Sequence, residues 1–133
     1  LAHLSELRRL ERYTATVHDR LRPFLAVLPD PETRINVNRT RPEVLAAVLE
    51  GLVPEAARSL LARAPFETLD EVVAQRELAQ LNAGVIRRRL TVQSEWFLLQ
   101  AEVVLEDAVR DYFRLVAASG SRYDFRYFSQ GVP

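Results

Sequence analysis

The hydrophobic period of this chain changes once, near residue 90, and that change limits the architectures open to it. Before it, apolar residues recur every three or four positions, as on one face of a helix. After it they alternate, as on one face of a strand. Helices followed by consecutive strands give an α+β arrangement with an antiparallel meander, not the repeated strand–helix–strand units of a parallel sheet. The expected division is a helical part over 1–89 and strands over 90–133. At 133 residues with 48% hydrophobic content, the chain can bury a real core.

Within the helical part, Leu4, Leu7, Leu10, Val17, Leu21, Leu25 and Leu28 predict helix over 1–28, with Pro23 kinking it or opening a new turn. Pro29-Asp30-Pro31 ends that region. Ile35-Asn36-Val37-Asn38 reads as a short extended connector whose Asn side chains bond nearby backbone. Thr40-Arg41-Pro42-Glu43 fits a capping box for a helix that buries Val44, Leu45, Val48 and Leu49 and stops at Gly51. Pro54 opens a second helix with Ala57, Leu60 and Leu61 inward, ending before Pro65. Thr68-Leu69-Asp70-Glu71 is a second capping box, followed by Val72 and Val73. A turn or helix through Leu78, Leu81, Val85 and Ile86 closes this part.

The strands follow. Thr91 to Leu105 is predicted as the first, with Phe97, Leu99, Ala101, Val103 and Leu105 on one face. Glu106-Asp107 breaks it. Val109, Phe113, Leu115 and Ala117 share a face of the second, Ser119-Gly120-Ser121 turns the chain, and Tyr123, Phe125 and Tyr127 alternate with Arg122, Asp124 and Arg126 in the third. Three strands alone leave an apolar face open. The helical part covers it, or a helix upstream of Leu1 does.

Few groups suit catalysis. There is no Cys, so no thiolate zinc site, Cys nucleophile or disulfide scaffold. His3 and His18 lack metal-ligand spacing, and Ser94 lacks the glycines of a nucleophile elbow. Four Gly form no phosphate-cradling loop. Asp30, Glu32 and Asn36, or Glu106 and Asp107, are too sparse for a calcium loop. The charge balance, 18 Arg (there is no Lys) against 18 Asp plus Glu, gives no global attraction to nucleic acid or anionic lipid. Arg87-Arg88-Arg89 is read first as a solvated edge and second as an anion or partner contact. Tyr123, Phe125 and Tyr127 between Arg residues are read as core packing ahead of base stacking. No apolar run is long enough to span a bilayer. The Leu1-Ala2-His3 start, already in mid-pattern, reads as that of an excised or processed product.

Residues 35–73 resemble a helix-hairpin-helix element, some members of which bind DNA backbones through a hairpin with two Gly. Here the hairpin is Gly51-Leu52-Val53-Pro54: the second Gly position holds Val53, Pro54 removes a donor, and Glu50 and Glu55 repel phosphate. A structural or protein-binding element is therefore expected, with nucleic-acid binding as the alternative.

Taken with Leu90-Thr91-Val92-Gln93-Ser94-Glu95-Trp96-Phe97, the order Ile35-Asn36-Val37-Asn38, Pro42-Glu43-Val44-Leu45, Phe66-Glu67-Thr68-Leu69-Asp70-Glu71 resembles the minor pseudopilin family of bacterial type II secretion, general secretion pathway protein K. Arg39-Thr40 departs from the Thr-Ala usual in that family after the second Asn. The resemblance implies a SAM-like, helix-hairpin-helix-like inserted domain, then the three-stranded antiparallel sheet of a pilin-like domain. It implies a periplasmic part of an inner-membrane-anchored protein whose membrane helix lies upstream. The partners implied are minor pseudopilins of types I and J, the pseudopilus and, more distantly, exported proteins, with no nucleic acid and no catalysis. Calcium ligands, where the family has them, would also lie upstream, so no cofactor is expected in this stretch. Trp96, Tyr112 and Arg114 are the candidate exposed anchors for a partner.

Overall fold

The computed structural model describes residues 4–106 and 108–130; His3 and Asp107 lie outside them. The chain divides into two compact units, Leu1–Val92 and Gln93–Pro133.

The first unit begins with short pieces where a long helix is predicted. A 3₁₀ helix spans Leu4–Arg9, α1 spans Ala15–Leu21, and a second 3₁₀ turn spans Arg22–Phe24. The cause is local. Arg12 sits at φ +69, and Thr14 starts a new helix by accepting the Val17 N–H on its hydroxyl at 3.3 Å. Pro23 lies in the first turn of the last piece, where its missing donor does no harm. Within α1 no residue is buried, so the predicted stripe does not become core. The Pro29–Pro31 region turns on Asp30, whose carboxylate accepts the Glu32 N–H at 2.9 Å.

The core of this unit is built from α2 (Pro42–Val48), α3 (Pro54–Leu61), α4 (Leu69–Val73) and α5 (Ala83–Arg89). Leu45, Leu49, Leu60, Leu78, Ile86 and Leu90 are its largest fully buried side chains. The capping box expected at Thr40 does not form. Pro42 takes the first helical position, so Arg41 becomes the cap and Glu43 stands one place too early to reach back; no side chain caps this helix. The second box forms in part. Thr68 accepts the Glu71 N–H at 3.2 Å, while the Glu71 carboxylate accepts from Glu67 N–H at 3.0 Å, one residue before the cap. Asn82, not singled out in the sequence, caps α5 by accepting from Gly84 and Val85.

Gly51 ends the α2 region at φ +90, and a Cβ there would meet Leu81 Cδ2 at 3.4 Å. Side chains rarely adopt that φ, so Gly51→Ala is expected to lower stability by about 1–2 kcal/mol, read as a shift in urea midpoint. A midpoint equal to wild type would show that the turn relaxes without strain.

Two further strands belong to this unit. β1 (Ile35–Asn36) pairs parallel with β2 (Leu90–Thr91), Ile35 opposite Leu90. Leu90-Thr91 therefore lies in the helical unit, and the first strand of the sheet starts later than the predicted Thr91. In the second unit β3 (Trp96–Leu105), β4 (Ala108–Ser119) and β5 (Arg122–Gln130) form the expected antiparallel sheet in the order β3-β4-β5. Gly120, at φ +59, is the first residue of the two-residue loop joining β4 to β5, where a hairpin of this length calls for glycine.

The register overturns one expectation. Phe97 lies opposite Val116 and Leu99 opposite Arg114, whereas Phe113 pairs with Gln100 and Leu115 with Leu98. Directly opposed residues share a face, so the two predicted apolar sets point to opposite sides. A bulge divides the aromatic set of β5 as well. Val116 pairs with Phe125 but Leu115 with Tyr127, leaving Arg126 as the extra residue. The sheet thus carries apolar residues on both faces.

Candidate interaction surface

Two arrangements stand out, a polar clasp in the first unit and a two-faced sheet in the second. The clasp is built on Asn38. Its side-chain amide donates to the Phe66 carbonyl at 2.9 Å and to the Val92 carbonyl at 3.2 Å, and its oxygen accepts the Phe66 N–H at 2.8 Å. The Asn38 N–H in turn donates to the Asn36 side chain at 2.9 Å, and Val37 N–H donates to the Thr91 carbonyl at 2.9 Å. One side chain therefore ties together segments 28 and 54 residues away in sequence. Its role is to close the helical unit, satisfying backbone groups that no regular element serves.

The helix–turn–helix made by α2 and α3 presents Val53 and buries Leu52. Glu55, in the first turn of α3, lies below the usual carboxylate range, held first by its own backbone N–H and then by Arg58 at 3.2 Å. Arg87 of the basic run pairs with Asp70 at 2.5 Å. Beside this region, Arg63 and Arg76 both bond Glu77, and Arg63 also reaches Gln75 at 2.8 Å. The Arg63 guanidinium is the main cause that holds the Glu77 carboxyl at about 2, against an ordinary 4.5. The stability this pair supplies is complete above about pH 4.5 and disappears as pH falls toward 2. Glu77→Gln is expected to flatten the fall in melting temperature across that window; an unchanged slope would remove the pair from the acid response.

On the sheet, Tyr112 and Arg114 lie on one face and Trp96, opposite Ala117, on the other. Arg114 is exposed, whereas Trp96 and Tyr112 are half-buried and so less open than expected. Neighbours explain Tyr112: its ring stacks on Phe128, centroids 5.8 Å apart. The Arg114 guanidinium lies over the Phe125 ring at 4.8 Å. Around them Phe97, Leu99, Val103, Leu105, Phe125 and Phe128 are all exposed. The other face keeps Phe113 and Leu115 buried and carries Glu102 and Asp111, the latter bonded by Gln100 at 3.3 Å. Sequence reasoning did not find the division into a basic and an acidic face, because it depends on register.

Among the described residues no group of three or more His, Cys, Asp or Glu is gathered for a metal, and no helix is long and apolar enough to cross a membrane. His18 sits beside Asp19 at 3.3 Å and meets the Tyr13 ring edge-on.

The sequence model of "Type II secretion system (T2SS), protein K" matches residues 35–93, from the first residue of β1 to just past Val92 of the clasp. Over this stretch the chain is similar to type II secretion system protein K. Over 116 residues it is 33% identical to protein K of Klebsiella pneumoniae, covering 81% of this chain and 35% of that protein. Over 115 residues it is 27% identical to protein K of Dickeya chrysanthemi, covering 81% and 32%. The chain thus spans about a third of the length of these protein K relatives. A chain in the crystal structure of the GspK–GspI–GspJ complex of enterotoxigenic Escherichia coli has the same fold. The TM-score is 0.80 at 23% identity, over all of this chain and 49% of that one.

Proposed function

We propose that this chain is the latter part of a minor pseudopilin of type II secretion, acting at the tip of the periplasmic pseudopilus and helping to start its assembly. The observation that carries the reading is the protein K match over the stretch closed by the Asn38 clasp. In this reading the strands belong to a pilin-like domain on the periplasmic side of the inner membrane, and the helical unit is a domain inserted within it. Its partners are pseudopilins I and J, since the fold neighbour comes from a complex of GspK with GspI and GspJ. Work is done by shape and docking, without chemical turnover, and calcium ligands belong to residues before this stretch.

The test is genetic and biochemical. Deleting the parent gene in its host should abolish export of type II substrates, and the tagged protein should co-purify with pseudopilins I and J. Undiminished export would sink the reading. DNA retention in a gel shift that weakens with salt would instead favour the nucleic-acid alternative; Glu50 and Glu55 beside the hairpin predict none.

A further inference from the structure

We draw no further inference here: the strongest candidate, the exposed apolar surface around Arg110 and Arg114 on one face of the β3-β4-β5 sheet, carries nothing, because the opposite face also exposes Leu98, Val104 and Val109 and nothing in the structure shows what covers either.

Discussion

Asn38→Ala should be the most damaging single substitution of a polar residue in the helical unit. It leaves the Phe66 N–H, the Phe66 carbonyl and the Val92 carbonyl without their partner. Each part-buried group stranded in this way costs about 1 kcal/mol or more, so a total of about 3 kcal/mol is expected. For a unit of this size that lowers the melting temperature on the order of 15 °C. Asn38→Asp should do no better. It keeps an acceptor for Phe66 N–H but sets a carboxylate against two carbonyl oxygens. Asn82→Ala is the comparison, since its cap is exposed and should cost about 1 kcal/mol. If Asn38→Ala fell no further than Asn82→Ala, the clasp would not be what closes the unit.

The second large effect concerns the sheet. Among the described residues its buried apolar ones are Phe113, Leu115 and Val116, whereas the helical unit buries eleven in one cluster. Hydrophobic burial scales with area, so the sheet should open well before the helical unit does. Trp96, the only Trp, begins β3 and reports on it alone. Its fluorescence should change at a urea concentration about 2 M below the midpoint of the far-UV helical signal, given a slope of about 1 kcal/mol/M and a gap of about 2 kcal/mol. The native chain should also bind the dye ANS through its exposed strands. Coincident transitions by the two probes would mean one cooperative structure and would refute this division.

The sequence revealed element types more faithfully than it revealed partnerships. The helices opened by Pro42 and Pro54 and the hairpin at Gly120 are local events, fixed by residues within a turn of each other. The pieces before residue 28 were misjudged because leucine spacing says nothing about what the stripe packs on, and α1 buries none of its residues. Thr40 misled for a narrower reason, since Pro42 claims the first helical position. The pairing of Ile35 with Leu90 and the reach of Asn38 to Val92 span more than fifty residues, beyond any periodicity argument. Of the three anchors, Tyr112 and Arg114 share a face, while Trp96 points the other way because register, not composition, assigns sides.

Arg126, the residue left over in the β4–β5 ladder, has a consequence for how this molecule can vary. Removing that one residue would erase the bulge and leave a regular ladder, in which Phe125 stays opposite Val116 and Tyr127 opposite Leu115, so Phe125 keeps its place against Arg114. The final strand can therefore lose this one residue and keep its sides, whereas a residue gained or lost elsewhere along it, with the bulge kept, would carry one end of its side chains to the reverse face.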